Sequence, residues 1–310
     1  MKTVEVTAPG SLMLCGEHAV LYGYKAIACA VDKFMTVKLT PRKDRTFTIK
    51  SSLGKYRSTV DAPEPDNTFQ FIIAAVELFK PDKGFDLVIE SQFSHKVGLG
   101  SSAAVTVATC TALTIFKGHK FSHNKVFNQS LQCVLSVQGR GSGSDLAASV
   151  YGGIVSLKIR SDERRKVLPL ECPLPPIDLV YCGYKMRTHE VIKVVKGKSA
   201  EFPELYQNLY KLMDKTSNEV EAALKTGDWE TTGKLFNFYH GLMDALGVCD
   251  HKLGRIAYNL RSLGGIYGSK ISGSGLGDCV VSLGKIDHKL KAGSKIDVNI
   301  APEGVVYYVY

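Results

Sequence analysis

Three glycine-rich segments limit what this chain can fold into more than any other feature of its sequence. They read KVGLGSSAAV (residues 96–105), QGRGSGSDLAASVYGG (138–153) and SKISGSGLGDC (269–279). A glycine-rich turn before a helix lets backbone N–H groups close on an anion at the positive end of the helix dipole. One such turn is also typical of a tight strand-to-helix connection, but three of them favour a phosphate or nucleotide site.

Neither of the commoner nucleotide-binding motifs fits the first segment. It lacks the GK[ST] ending of a P-loop, and it does not match GxGxxG with an acidic residue about 20 positions later. Strands are predicted at 2–7, 8–23, 26–41, 46–52, 86–92, 152–159 and 178–184, and again after the third glycine segment. Helices are predicted at 67–79, 103–116, 121–138, 201–225, 228–246 and 251–263.

Composition narrows the class of protein. With 45% hydrophobic and 22% charged residues, the 310-residue chain is expected to form two packed lobes. The net charge of +9 is scattered, which favours a solvated basic surface over a nucleic-acid patch. Eight cysteines without a CxxC pair, and an N-terminus without a secretory apolar core, predict a cytoplasmic protein with reduced thiols and no membrane insertion.

Three segments, in order, resemble the motifs of the GHMP kinase superfamily: APGSLMLCGEHAVLYG (8–23), KVGLGSSAA (96–104) and SKISGSGLGDC (269–279). Within it, GEHAVLYG, AIACAVD and residues 226–275 are similar to mevalonate kinases. The resemblance implies an α+β fold. An N-terminal ribosomal-protein S5-like lobe, residues 1–165, would bind ATP and pack on a C-terminal ferredoxin-like lobe, residues 166–310, with the site between them.

The resemblance places the first glycine segment around the phosphates of ATP. The ATP-binding residues it implies are Lys96, Val97, Gly98, Leu99, Gly100, Ser101 and Ser102. Among them, Ser102 matches the serine that binds Mg²⁺. The physical reading agrees, because amides at the start of a helix face an anion while a hydroxyl reaches the metal.

The resemblance gives the catalytic role to Asp145, as the carboxylate that accepts the proton of the attacking hydroxyl. An aspartate before LAASV is also typical of a helix N-cap, and the two roles can coexist. For His18 the alternative to substrate binding is a structural role, and for Thr188 the alternative to substrate binding is a helix cap. The implied substrate-binding residues are Glu17, His18, Thr188, Gly273, Ser274 and Gly275.

Two positions depart from the family pattern. Ser11 stands where the family carries a lysine that pairs with the catalytic aspartate, and Val134 stands where mevalonate kinases supply a glutamate to Mg²⁺. We therefore expect another cation near Asp145, Arg140 first and Lys185 second, because a buried carboxylate without a positive partner tends to protonate. Alternatively, the metal alone keeps Asp145 ionised.

Three hypotheses follow. The first is a mevalonate kinase that uses ATP and Mg²⁺ to phosphorylate the 5-hydroxyl of mevalonate. The second is another GHMP small-molecule kinase, phosphomevalonate kinase foremost, which residues 131–153 and GLGDC resemble. The third, motivated by Ser11 and Val134, is a catalytically weak protein that binds ATP or a metabolite and regulates a partner. For the enzyme, the expected partner is a small-molecule alcohol substrate. Neither nucleic acid nor a membrane is expected as a partner, and a homodimer is the oligomeric state considered.

Overall fold

The computed structural model describes residues 2–93, 97–287, 290 and 292–310. The strands are β1 Val4–Cys15, β2 Ala26–Pro41, β3 Thr46–Ser51, β4 Gly54–Thr59, β5 Phe85–Ser91, β6 Ile154–Ile159, β7 Arg165–Leu170, β8 Ile177–Lys185, β9 Gly268–Ser272, β10 Gly277–Leu283, β11 Ser294–Ile296 and β12 Val306–Val309. The helices are α1 Gln70–Phe79, α2 Ser101–Phe116, α3 His123–Gln138, α4 Ser144–Tyr151, α5 Thr188–Glu201, α6 Pro203–Thr226, α7 Trp229–Ala245 and α8 His251–Arg261, with a 3-10 turn at Ala19–Tyr22.

The first sheet has the strand order β12-β1-β2-β5-β3-β4, and β6 and β7 continue it beside β2. Helices α2 and α4 pack against β1 and β2. Two of the four threonines of the buried helix α2 satisfy their hydroxyls within the helix, whereas the buried hydroxyls of Thr109 and Thr111 have no hydrogen-bond partner among the described residues. The Thr106 hydroxyl donates to the Ser102 carbonyl at 2.6 Å, and that of Thr114 to the Cys110 carbonyl at 2.7 Å.

The second sheet has the order β11-β8-β10-β9, and all its pairings are antiparallel. Helices α7 and α8 pack on β9, and α6 packs on α7. Strand β1 contributes to the cores of both lobes. Val4 and Val6 are buried in the first core, whereas Leu12 and Leu14 are buried in the second. The two lobes are therefore joined by shared hydrophobic packing along one strand.

Strand β1 is irregular where it passes the glycine segment. Its register with β2 shifts between Pro9 and Gly10 and again between Met13 and Cys15. Such bulges redirect side chains beside functional sites. After the first shift, the backbone N–H of Ser11 donates to the Leu99 carbonyl at 3.0 Å. The bulged strand thus docks directly onto the first glycine segment.

The predicted α+β class is confirmed by this mixture of two sheets and eight helices in the described ranges. The division into residues 1–165 and 166–310 stays a prediction. Strand β7 continues the first sheet to Leu170, and β12 returns to that sheet's edge from the far end of the sequence. Over the part of the chain that the structure describes, no helix combines the length and apolar composition that membrane crossing requires.

Candidate active site

The first glycine segment leads directly into the N-terminus of α2. Gly100 precedes the helix with a φ of 65°, a conformation that favours glycine, and a Cβ at this position would collide with the Ser11 hydroxyl. A Cβ on Gly98 would collide with the Asp278 carboxyl group. The first turn of α2 presents N–H groups that have no partner within the helix. The segment therefore fits closely against β1 and the third glycine segment.

Asp145 lies in the first turn of α4, where Gly143, not Asp145, occupies the N-cap position. Its carboxylate accepts a 3.1 Å hydrogen bond from the Ser11 hydroxyl on β1. Asp145 is exposed along a cavity, yet protein atoms crowd its carboxyl group and burial raises its pKa. The Ser11 hydrogen bond and the charge of Lys185 oppose that rise in pKa, and the charge of Asp278 adds to it.

A chain of polar contacts connects the third glycine segment to the first. One Asp278 oxygen accepts a 2.8 Å hydrogen bond from the Gly98 N–H, and the other lies 2.9 Å from the Lys185 ammonium group. Asp278 is buried and adopts a φ of 73°, which is uncommon for a residue with a side chain. The carboxylate thus contacts an amide of the predicted phosphate-binding segment.

The two cations expected near Asp145 occupy different places. Arg140 lines the cavity, and its guanidinium donates to the His189 carbonyl at 3.4 Å. Lys185 does not line the cavity, but of the two cations it is the one whose charge opposes the rise in the pKa of Asp145. Val134 also lines the cavity, with an apolar side chain that offers no metal ligand.

Glu17 forms a buried ion pair with Lys270 on β9. The Lys270 Nζ lies 2.5 Å from Glu17 Oε1, donates to the Ile271 carbonyl, and sits 5.2 Å from the centre of the Tyr239 ring. Glu17 Oε2 is buried without a hydrogen-bond partner. Burial raises the pKa of Glu17, and the charge of Lys270 opposes the rise. This pair fixes the first motif to the second sheet.

His18 links the first motif to the third glycine segment. Its Nε2 lies 2.8 Å from the carbonyl oxygen of Ser274, and because a carbonyl only accepts, Nε2 carries the proton of that bond. Burial lowers the pKa of His18, so the ring is neutral near pH 7 and Nδ1 is an acceptor. His18 has a φ of 59°, which shows that the turn is held in a strained conformation.

A cavity of about 960 Å³ brings half of the predicted site residues together. The predicted site residues that line it are Glu17, His18, Ser102, Asp145, Thr188, Gly273 and Ser274. Those outside its lining are Val97, Gly98, Leu99, Gly100, Ser101 and Gly275, while Lys96 falls outside the described residues. Leu99 is buried in the second core, and Gly275 packs against Val248. Arg140, Arg187 and His189 add cationic or titratable groups to the wall.

Sequence reasoning did not single out Lys270 or Asp278 as site residues. Both belong to SKISGSGLGDC, in which they are the two charged residues. Their position as charged residues inside a glycine-rich segment was the sequence signal that could have marked them as site residues. Their partners, Glu17 and Gly98, lie far away in sequence.

Two family models match separate parts of the chain. The family model for the GHMP kinases N terminal domain matches residues 69–153, and the model for the GHMP kinases C terminal matches residues 220–294. The mevalonate kinase of Pyrococcus horikoshii is 33% identical over 304 residues, which cover 91% of this chain and 89% of that protein. The chain belongs to the GHMP kinase family. The resemblance inferred from the three motifs is thereby confirmed, and this kinase is an enzyme that uses ATP.

Other relatives of the kinase agree. The mevalonate kinase of Methanothermobacter thermautotrophicus is 31% identical over 276 residues, covering 89% of this chain and 88% of that protein. The crystal structure of the Methanococcus jannaschii mevalonate kinase matches with a TM-score of 0.77 at 24% identity, covering 91% of this chain and 90% of that one. The crystal structure of the Lin0012 protein from Listeria innocua matches with a TM-score of 0.83 at 23% identity, covering 92% of this chain and 91% of that one. These structures confirm the predicted fold.

Proposed function

We propose that this kinase transfers the γ-phosphoryl group of ATP to the 5-hydroxyl of mevalonate, forming 5-phosphomevalonate and ADP. The observation that carries the proposal is that Asp145 and Ser102, each in the first turn of a helix, line one cavity together with His18 and Ser274. A proton acceptor and an anion-binding helix terminus thus share one space. The relatives named mevalonate kinase support the choice of acceptor.

The start of α2 fits a nucleotide with Mg²⁺. The amides of its first turn and the positive end of its dipole suit the phosphates, and the Ser102 hydroxyl is an oxygen ligand of the kind Mg²⁺ takes. The described residues contain no group of three or more His, Cys, Asp or Glu that could hold a metal. Mg²⁺ is commonly held by one or two protein oxygens, waters and substrate phosphates, so Ser102 would hold it here. When bound, it offsets negative charge on the transferring group.

The reaction is a single displacement at phosphorus. The 5-hydroxyl oxygen forms a bond to the γ-phosphorus, the bond from that phosphorus to the β,γ-bridging oxygen breaks, and ADP leaves. The hydroxyl proton passes to the Asp145 carboxylate, which also orients the nucleophile. Because burial raises the pKa of Asp145, activity near neutral pH depends on the groups that favour its charged form.

The remaining wall of the cavity suits an acidic acceptor. Arg140 and Arg187 both line it, and mevalonate carries a carboxylate at the end opposite its 5-hydroxyl. Guanidinium groups bind carboxylates through charge-assisted hydrogen bonds. The acceptor contacts we assign, besides these arginines, are Glu17, His18, Thr188, Gly273, Ser274 and Gly275.

The same two arginines favour a second candidate acceptor, a phosphorylated alcohol such as phosphomevalonate. Its phosphate would need additional positive charge in the cavity, and Arg140 and Arg187 supply it. A panel of acceptors, assayed for ADP release, separates the candidates. We expect a higher kcat/KM with mevalonate than with phosphomevalonate or galactose. A preference for phosphomevalonate would select the second candidate, and ATP binding without turnover of any acceptor would select the regulatory hypothesis.

We infer a cytoplasmic location for the kinase, which its eight free cysteine thiols support because disulfides persist mainly in oxidising compartments. The homodimer stays a prediction. Sedimentation equilibrium tests it directly by measuring the molar mass in solution.

A further inference from the structure

We propose that Lys185 supplies the positive charge that Ser11 does not provide, and that Asp278 holds this lysine beside Asp145. The inference rests on the proposed phosphoryl transfer and gives Lys185 the role of a positioning residue in it. Neither residue belongs to the first motif, where the family carries its lysine.

Two neighbouring strands bring the pair together. Lys185 is the last residue of β8, and Asp278 follows Gly277, which pairs with Lys185 in the antiparallel register of β8 and β10. Their charged atoms lie 2.9 Å apart, and the side chains are 33% and 8% exposed. The left-handed backbone of Asp278 turns its carboxylate toward Gly98. The cation is therefore held at a fixed place by an almost fully buried partner.

The charges that act on Asp145 come from β8, which carries Lys185, and from the start of β10, which carries Asp278. Strand β1 contributes only the neutral hydroxyl of Ser11. Arg140 and Arg187 lie elsewhere on the cavity wall, together with Glu17, His18 and His189. Lys185 thus contacts one carboxylate, Asp278, and its charge also acts on the other, Asp145. Without Lys185 the two carboxylates would repel each other, and the pKa of Asp145 would rise further because the opposing positive charge is gone.

The same cation serves the nucleotide side of the site. The Gly98 N–H donates to Asp278, so a carboxylate already lies against the segment that would receive the phosphates. Negative charge brought there by ATP would be repelled by an unpaired Asp278. Lys185 neutralises that carboxylate, so the segment can receive the phosphates without an opposing negative charge.

The first experiment compares Lys185→Met with two matched variants, Arg140→Met and Lys252→Met. Neither Lys185 nor Lys252 lines the cavity, but the Lys252 ammonium group lies 5.6 Å from the centre of the Tyr184 ring, whereas that of Lys185 contacts Asp278. We expect Lys185→Met to lower kcat by about 10²-fold, the contribution typical of a group that supports proton transfer. We expect its acidic limb in the pH profile of kcat to move to higher pH. Lys252→Met should match the wild type in both respects.

The sign of the pH shift distinguishes an electrostatic role from loss of packing. Asp278→Asn removes a charge that raises the pKa of Asp145 but also releases Lys185, so we expect no move of the acidic limb of kcat to lower pH. A move to lower pH would show that Lys185 stays in place without Asp278 and would overturn that part of the inference. The amide oxygen introduced by Asp278→Asn can still accept from the Gly98 N–H. We also expect the double variant Ser11→Lys/Lys185→Met to have a kcat at least tenfold above that of Lys185→Met. The reason is that Ser11→Lys returns a cation to the site from the opposite strand.

A kcat within threefold of the wild type and an unmoved acidic limb in Lys185→Met would overturn the inference, as would a shift seen with Arg140→Met in its place. If the wild-type protein phosphorylates no alcohol, the proposed function fails, and a carbon-13 NMR titration of Asp145 decides the inference by itself. Asp145→Asn assigns the signal. A higher Asp145 pKa in Lys185→Met supports the inference, and an unchanged pKa overturns it.

Discussion

Replacing Lys270 with Met is expected to destabilise the kinase by about 3–5 kcal/mol, the range typical for removing one partner of a buried ion pair. The side chains of Lys270 and Glu17 are 0% and 2% exposed. The substitution removes the 2.5 Å contact with Glu17, the bond to the Ile271 carbonyl and the contact with the Tyr239 ring. It leaves a buried carboxylate in which neither oxygen has a side-chain partner.

The loss of stability in Lys270→Met should depend on pH. Burial already raises the pKa of Glu17, and removing Lys270 raises it further because the opposing charge is gone. A carboxyl group whose pKa is higher in the folded state than in the unfolded state binds more protons when folded. Stability is then greatest below the unfolded pKa and falls as pH rises through the folded pKa. We therefore expect the destabilisation to be larger at about pH 8 than at about pH 5.

Urea unfolding followed by far-UV circular dichroism measures these differences. Adding Glu17→Gln to Lys270→Met should recover part of the lost stability, because no charge remains buried. Lys234→Met is the matched control, since Lys234 pairs with Glu230 on the exposed surface of α7 and should be nearly neutral. The reasoning is refuted if Lys270→Met unfolds within about 1 kcal/mol of the wild type at the higher pH, or if the double variant is no more stable than the single one.

Three further predictions concern the reaction. Asp145→Asn should lower kcat by about 10²-fold or more while ATP affinity, measured by calorimetry, is retained; nearly normal turnover would reduce Asp145 to a structural residue. Gly100→Val should weaken ATP binding, because its positive φ and the nearby Ser11 hydroxyl leave no room for a side chain; unchanged affinity with an intact circular dichroism spectrum would contradict the phosphate assignment. Arg187→Met should raise the KM for mevalonate by about tenfold with a smaller change in kcat, since a charge-assisted hydrogen bond contributes about 1.5–3 kcal/mol; an unchanged KM would remove Arg187 from the acceptor site.

Of the eight helices in the described ranges, sequence periodicity located six and missed α4 and α5. The helix predicted at 103–116 is α2 from Ser101, and the one predicted at 251–263 is α8, which begins where the Asp250 side chain accepts from two backbone N–H groups. Strands β4 and β7 were not predicted. Most of their side chains are exposed or half-buried, so they carry little apolar alternation. They form because they pair with β3 and β6, a tertiary effect that local sequence does not encode.

The candidate site shows the same limit. Its residues were predicted from motif resemblance, and the structure places seven of them around one cavity. The contacts between them were not predictable from spacing. Lys270 and Glu17 lie 253 positions apart, and Asp278 and Gly98 lie 180 apart. Proximity in sequence favoured Arg140 as the partner of Asp145, whereas the charge that opposes the rise in its pKa comes from Lys185, at the end of β8 in the other lobe.

Pairing of β12 with β1 has a consequence for synthesis on the ribosome. Val4 pairs with Val309 and Thr7 with Val306, so one edge of the first sheet is closed by residues made about 300 positions later. At about 5–20 residues per second, that interval lasts roughly 15–60 s. During it β1 presents unpaired N–H and C=O groups, the kind of edge at which nascent chains aggregate. Chaperones that shield this strand until translation reaches β12 would protect an open edge of the nascent lobe.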